Sequence, residues 1–392
     1  MTGRVSARGL AIRALVEIER SGRANIVVPK LLDGDGALLS QRDRAFVTEL
    51  AYGTVRMQRA CDWLIGGHLS ARRPLTELDR PVRAALRLGA YQLAFLHTPP
   101  HAAVSETVAV VRRPAAGLVN AVLRRVADDV AAGVDWPDVA TRLSYPDWIV
   151  DRLSTDLGAD DALAALEQMN QPARMTVRAD GYVQDEASQQ VAAAVAAGGF
   201  AGGEVIADVC AAPGGKATYL ASGRPAVVVA ADIDPDRARV IVENSTRLGL
   251  SNVATIVADG LAPPLRPGCL DRVLVDAPCS GLGVLRRRPD ARWRIQPSDV
   301  DRLASLQRRL VDAALPLLSP GGLLVYCVCT LTRAETAGLD EWMAGAHPSA
   351  CPVALDLGPA WEQGVGRGAR LLPQVAGTDG MFEIAVRAPA GR

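Results

Sequence analysis

The sequence has no apolar run approaching the roughly 18–20 residues of a membrane span. Met1–Arg20 also lacks the basic, apolar and small-residue regions of a secretory signal, so a cytoplasmic protein is the expectation. Cysteine is sparse: seven in 392 residues, an odd number spread over a long chain, which argues against a disulfide framework and suits reduced thiols. No CxxC pair and no Cys/His cluster stands at zinc spacing, and the C-x-C of Cys327 and Cys329 is too isolated to propose a metal. Lysine is nearly missing, with only Lys30 and Lys216 among 43 basic residues, so a lysine at either position is a rare choice. Formal net charge is zero, which at first argues against a nucleic-acid partner.

Dividing the chain changes that impression. Residues 1–130 hold 19 Lys+Arg against 12 Asp+Glu, a balance of +7, so the rest carries −7. A basic amino-terminal module beside an acidic carboxy-terminal one fits an anion-binding arm joined to a catalytic body. The composition is 49% hydrophobic, enough for a folded protein, and 392 residues allow two or three domains of roughly 100–200 residues each.

The periodicity divides the chain the same way. Stretches such as "ARGLAIRALVEIER" (7–20), "RAFVTELAYGTVRMQRACDWLI" (44–65) and "VRAALRLGAYQLAFL" (82–96) repeat apolar residues at three and four, which predicts an all-α domain over 1–132. A proline-punctuated connecting section follows over 133–183. From Glu204 the pattern alternates near-continuous apolar runs with Gly-rich turns and helical stretches. "EVIADV" (204–209), "AVVVAAD" (226–232), "NVATIVAD" (252–259), "DRVLVD" (271–276) and "GGLLVYCV" (321–328) read as strands of a parallel sheet buried on both faces. Residues 184–392 are therefore expected to form a doubly wound, Rossmann-like α/β domain. "MFEIAVRA" (381–388) reads as a last, antiparallel strand.

In such a sheet ligands sit outside the carboxyl ends of the strands. Four of those ends are rich in aspartate or glycine. In "DVCAAPGGK" (208–216) Pro213 bends the chain, and Gly214 and Gly215 let the backbone pass close to a ligand. Asp232 follows about 20 residues later, where a carboxylate can accept both hydroxyls of a ribose. Asp259 and Asp276 end the third and fourth strands. Each alone also suits a helix cap; together with the loop they describe a pocket for an adenosine-bearing cofactor. GxGxxG and GxxxxGK[ST] are both missing, which favours S-adenosylmethionine over a dinucleotide or ATP. The fourth strand runs into "DAPCSGLGVLRRRPDARW" (276–293), where Gly281 and Gly283 leave room for a flat substrate. Arg286, Arg287, Arg288, Arg292 and Arg294 around Trp293 suit phosphates and a stacked base.

With these residues in view, nearly the whole chain resembles the Sun/RsmB family of ribosomal RNA cytosine-5 methyltransferases. The carrying blocks are "YVQDEASQ" (182–189), "DVCAAPGGKAT" (208–218), "DAPCSGLGVLRRRPD" (276–290), "YCVCTL" (326–331) and "GTDGMF" (377–382). In the basic half, "RAFVTELAYGTVR" (44–56), "LRLGAYQLAFL" (86–96), "PPHAAVSETV" (99–108) and "GLVNAVLRRV" (117–126) resemble a NusB-like RNA-binding domain. The resemblance implies S-adenosylmethionine as cofactor, ribosomal RNA as partner and 5-methylcytosine as product. By motif match Cys329 is the nucleophile on cytosine carbon-6 and Cys279 assists release. Asp276 would hold the N3/N4 edge of the base and border the cofactor, and Lys216 lies near both. Cys210, Ala211, Ala212, Pro213, Gly214, Gly215, Lys216, Asp232 and Asp259 carry over as the cofactor pocket. Transfer RNA as substrate, or a non-catalytic ribosome assembly factor, are the alternatives, and a monomer is the default.

The chain departs from the family pattern at three places. Val328 stands before Cys329 where the family has threonine, and Arg333, Ala334, Glu335 and Thr336 replace Pro-Glu-Glu-Asn, retaining one glutamate. The connecting section near 172–182 is also short. Strand alternation puts Cys327 and Cys329 on one side, but only Cys329 lies at the carboxyl end of its strand. Cys327, inside the apolar run, reads as a packing residue. The chemical partner of Cys329 is then Cys279, at the end of the expected neighbouring strand.

Overall fold

A computed structural model describes residues 6–197 and 203–390. They divide into two compact units, Met1–Asp151 with Leu285–Arg294, and Arg152–Val284 with Ile295–Arg392. Part of the Ala/Gly-rich run ahead of the first strand, 198–202, lies outside the described residues.

The first unit is helical. Its main helices are α1 (Ala7–Ser21), α2 (Ala24–Asp33), α3 (Gln41–Arg56), α4 (Gln58–Gly66), α5 (Arg80–Ala94), α6 (Pro100–Ala109) and α7 (Arg113–Ala132), followed by the short α8 (Val139–Leu143). Ser6 and Ser40 start α1 and α3 by accepting the backbone N–H of Gly9 and Asp43 through their hydroxyls, each at 3.1 Å. Two glycines inside helices explain themselves by packing. A Cβ on Gly53 of α3 would fall 2.1 Å from the Tyr91 ring of α5, and one on Gly89 of α5 would fall 2.4 Å from Leu123 of α7. Close approach of α3, α5 and α7 offsets the roughly 0.5–1 kcal/mol that a mid-helix glycine costs. The apolar faces form one core, from Leu10 and Val47 to Leu88 and Val126.

The connecting section does not form a unit of its own. Its first part packs with the helices: Arg59 of α4 donates to the Tyr145 carbonyl at 2.8 Å and to Asp147 at 2.7 Å, and its own N–H meets the Ser144 hydroxyl at 2.9 Å. The division falls inside α9 (Asp147–Leu157), and the remainder, including α10 (Ala159–Met169), belongs to the second unit.

The arginine-rich segment is the larger departure from expectation. Leu285–Arg294, which includes the short α14 (Ala291–Arg294), belongs to the helical unit, although its covalent neighbours on both sides lie in the other one. Arg292 is fully buried, stacked 3.8 Å over the Tyr145 ring. Its guanidinium donates to the carbonyls of Arg56 (3.2 Å) and Ser144 (3.1 Å) and to the Tyr145 hydroxyl (3.2 Å). The Trp293 indole N–H donates to the Val55 carbonyl at 2.7 Å. Val55 and Arg56 form the end of α3, where carbonyls have no intrahelical donor. Arg292 and Trp293 therefore satisfy a helix terminus and are not available for phosphate or base, and Arg286, 3% exposed, is buried as well. The expectation that these three bind RNA is corrected by the burial of Arg286 and Arg292 and by the packing of the partly buried Trp293, whose indole N–H is already engaged. Arg288 and Arg294 are exposed and Arg287 partly so.

Among the described residues, the second unit carries a nine-stranded mixed sheet. Its strands are β1 (Val205–Asp208), β2 (Val227–Asp232), β3 (Val253–Val257), β4 (Leu270–Asp276), β5 (Leu318–Val328), β6 (Cys351–Val353), β7 (Glu362–Val365), β8 (Gly368–Leu371) and β9 (Met381–Arg387). The order is β3-β2-β1-β4-β5-β9-β8-β7, with β6 also on β9; β1 to β5 are parallel and β9 is antiparallel to β5. The Rossmann-like expectation and the antiparallel last strand both hold. The short β6, β7 and β8 were not expected, because runs such as "CPV" and "EQGV" carry no strand periodicity. Alternation along β5 sends Val325 and Cys327 into one core and Leu324, Tyr326 and Val328 into the other, which accounts for its unbroken apolar run.

Removal of the Arg292 side chain leaves three buried acceptors without their donor. Arg292→Ala is expected to destabilise the protein by about 3 kcal/mol, while Arg288→Ala stays near wild type. Urea unfolding of both variants checks this.

Candidate active site

The chain order places the topological switch between β1 and β4, which are neighbours in space with helices on either side, and the carboxyl ends of these strands hold the polar groups. The loop after β1 is tied to the sheet where Ala211 N–H donates to the Ala231 carbonyl at 2.8 Å. Gly214 has φ +100°, a left-handed conformation open to glycine, and starts α12 (Gly215–Ala221). Gly215 is small for a different reason than expected: a Cβ there would press to 3.1 Å on the Gln184 amide, a protein contact. Arg178 clamps the same turn. It donates to the Gly215 carbonyl (2.7 Å) and the Thr218 hydroxyl (3.2 Å), its guanidinium within cation–π range of both Tyr182 and Tyr219, and pairs with Asp180.

Lys216 projects from the first turn of α12 and is 6% exposed. Its Nζ lies 2.6 Å from Asp276 Oδ2 at the end of β4. Burial opposes its charge, but Asp276 and the sulfurs of Cys327 and Cys329 outweigh it and hold its pKa above the ordinary lysine value. Parallel pairing of β4 with β5 sets Asp276 opposite Cys327, whose thiol faces Asp276 Oδ1 at 3.4 Å. Cys327 is fully buried, and burial followed by Asp276 pushes its thiol well up. Cys329, past the strand end, is partly exposed and lies 3.4 Å, sulfur to sulfur, from Cys279. Hydrogen bonding to Cys329 and then burial raise the Cys279 thiol pKa. Thus Lys216, Asp276, Cys279 and Cys329 gather at the ends of β4 and β5, as two close pairs.

Asp232 ends β2, 3% exposed, and accepts the Ala212 N–H at 3.3 Å and an Arg237 guanidinium N–H at 3.2 Å. Asp259 is exposed two residues beyond β3 and accepts the Leu261 N–H at 2.9 Å. Both aspartates follow strands that pair with β1 or its neighbour, on the side of the Cys210–Lys216 loop. Two carboxylates beside a glycine turn suit the hydroxyl and amine donors of S-adenosylmethionine. Cys210, Ala211, Ala212 and Pro213 line the turn, with the Pro213 carbonyl held by the Asn244 amide at 2.9 Å. Gly283 does not leave room for a substrate: a Cβ there would meet the Gly380 carbonyl at 2.2 Å and that of Cys329 at 2.9 Å. Its N–H instead donates to the Cys329 carbonyl at 3.1 Å. Val328, where the family has threonine, packs into the core on the face of the sheet opposite Cys329.

Sequence reasoning passed over Asp208 and Glu335. Asp208 ends β1 as Asp232 and Asp276 end β2 and β4, so the same strand-end rule finds it. Glu335 carries no sequence signal beyond being the one glutamate retained from the family tract.

Burial and then the nearby Asp276 push Asp208 up to about 8, and burial alone pushes Glu383 up to about 8. Their unfolded values are about 4. The folded state therefore holds protons that the unfolded chain has released, so stability is highest below about pH 4 for these two groups and falls until about pH 8. Wild type is expected to lose stability from pH 5 to 8 more steeply than Asp208→Asn with Glu383→Gln; urea unfolding across that range reads the difference.

Comparison with known proteins follows the same division. Residues 5–128 match the family model for the NusB family, and residues 200–387 match that for 16S rRNA methyltransferase RsmB/F. Ribosomal RNA small subunit methyltransferase B of Sodalis glossinidius is 33% identical, over 96% of this chain and 96% of its own length. A candidate methyltransferase of Mycobacterium tuberculosis is 37% identical, over 97% and 96%. The crystal structure of PH0851 shares the fold, at a TM-score of 0.78 and 21% identity over 97% of this chain and 99% of that one. With near-complete coverage at these identities and both domain models matched, the chain belongs to the RsmB/F methyltransferase family and carries a NusB-family domain at its amino end.

Proposed function

We propose that the protein transfers a methyl group from S-adenosylmethionine to carbon-5 of a cytosine in small-subunit ribosomal RNA through a covalent adduct at Cys329. The observation that carries this reading is the Cys279–Cys329 pair, 3.4 Å apart beside the Lys216–Asp276 pair. Carbon-5 of cytosine is a poor nucleophile, and addition of a thiolate to carbon-6 makes it enamine-like. Cys329 is the thiol of the pair at the end of its strand and forms the bond to carbon-6. The charge of Lys216, held by Asp276, favours the thiolate. S-adenosylmethionine, when bound, would supply the electrophilic methyl from its sulfonium and leave as S-adenosylhomocysteine. Loss of the carbon-5 proton then expels the Cys329 sulfur and restores the aromatic ring, with Cys279 assisting release. Asp276 faces the N3/N4 edge of the base, and Asp232, Asp259 and the Cys210–Lys216 turn hold the cofactor.

The target base must leave its stack to reach the thiols. The helical unit, with its net positive sequence, grips the RNA backbone together with Arg287 and Arg288, so affinity falls with salt. The names of the full-length relatives favour ribosomal over transfer RNA. Every group invoked comes from one chain, so a monomer suffices, acting in the cytoplasm on ribosomal RNA.

Incubation with labelled S-adenosylmethionine and undermodified ribosomal RNA, followed by mapping of methylated cytosines, tests the reading; absence of transfer by wild type sinks it. Cys329→Ala is expected to abolish product and adduct, and Cys279→Ala to accumulate a protein–RNA adduct that survives denaturation. Activity retained in Cys329→Ala but lost in Cys327→Ala would move the nucleophile.

A further inference from the structure

Behind the two reactive cysteines lies a fully buried carboxylate that the reaction does not touch. Glu335 sits in the single helical turn Arg333–Glu335 that follows β5, and the Tyr326 hydroxyl holds its carbonyl at 2.8 Å. One carboxylate oxygen accepts the Ser280 N–H at 2.8 Å and the Gln307 amide N–H at 3.0 Å. The other accepts the hydroxyls of Ser280 (2.6 Å), Thr332 (2.7 Å) and Thr330 (3.2 Å). Ser280 directly follows Cys279 and Thr330 directly follows Cys329, and their hydroxyls also meet each other at 2.7 Å. Gln307, from α15 (Pro297–Ala314), donates as well to the carbonyl of Pro278, on the other side of Cys279. The donors around this carboxylate are all neutral and come from both cysteine loops and from Gln307, and Ser280 and Thr330 have few other ways to satisfy buried hydroxyls.

We infer that Glu335 is the positioning residue of the thiol pair, joining the "PC" loop to the end of β5 so that Cys279 and Cys329 keep their separation through adduct formation and release. The inference rests on the covalent mechanism proposed above. It also gives a reason why one glutamate stands in a tract that otherwise departs from the family pattern. Glu335→Gln keeps the shape but turns one acceptor oxygen into a donor facing groups that themselves donate. The two loops then lose their shared acceptor, and misplacement of about 1 Å at reacting groups costs up to roughly 100-fold in rate.

The test compares wild type, Glu335→Gln and Ser280→Ala on undermodified ribosomal RNA. The expected result for Glu335→Gln is a kcat lowered roughly 10- to 100-fold, with KM for S-adenosylmethionine within about twofold. A larger fraction of enzyme is also trapped as a denaturation-resistant RNA adduct. Ser280→Ala moves the same way by less. Wild-type kcat in both variants, or in a folded Ser280→Ala when Glu335→Gln does not fold, overturns the inference, as does a loss carried by KM alone. A second readout needs no RNA: alkylation by iodoacetamide, resolved by mass spectrometry, gives the ratio of modification at Cys279 and Cys329. That ratio is expected to shift several-fold in Glu335→Gln, and an unchanged ratio overturns the inference. Failure of wild type to methylate cytosine would instead remove the proposed reaction and leave the alkylation ratio to judge Glu335.

Discussion

The site depends on the parallel register of β4 and β5. Pairing Asp276 with Cys327 puts the next turn of each strand side by side, so that residues three beyond Asp276 and two beyond Cys327 meet as the Cys279–Cys329 pair. Side chains alternate along a strand, and a slip of one residue would send Cys327 and Asp276 to opposite cores. Burial of both faces holds the register, because Val325 and Leu324 each fill a different core. The same register sets Asp276 where Lys216 reaches it from the turn after β1, the neighbour of β4 on the other side.

An ion pair with one buried partner, Lys216, and one partly exposed partner, Asp276, is a weak source of net stability, since removing the lysine charge from water costs about what the attraction returns. Lys216–Asp276 is better understood as a local field. It keeps a positive charge beside the sulfurs of Cys327 and Cys329 in a region where burial alone would disfavour thiolates. The buried Cys327, with its thiol pushed up and aimed at Asp276, is a poor nucleophile, while Cys329 at the strand end is partly open.

The arginine segment carries a different lesson. Arg292 and Trp293 have the composition of a nucleic-acid contact, and the structure uses them to close the carboxyl end of α3. A guanidinium has several donors in a rigid fork and an indole one, which suits backbone carbonyls as well as phosphates and bases. Composition cannot separate these uses, because both ask for the same donors. Burial separates them at once.

Much of the site was legible in the chain itself. The strands β1 to β5, the glycine turn, and the aspartates at or just beyond the ends of β2, β3 and β4 all follow from apolar runs that stop at polar or glycine residues, since two-sided burial dictates both features. Position along β5 distinguished Cys329 from Cys327 for the same reason. Short-range patterns could not reveal which groups meet across the fold. The clamp of Arg178 on Gly215, the packing of Gly283 on Gly380, and the convergence of Ser280, Thr330, Thr332 and Gln307 on Glu335 join residues up to about one hundred positions apart. Local periodicity determines which face of an element is buried; only the tertiary structure decides which buried polar group finds which partner, because that depends on the register and packing of elements that the chain brings together from a distance.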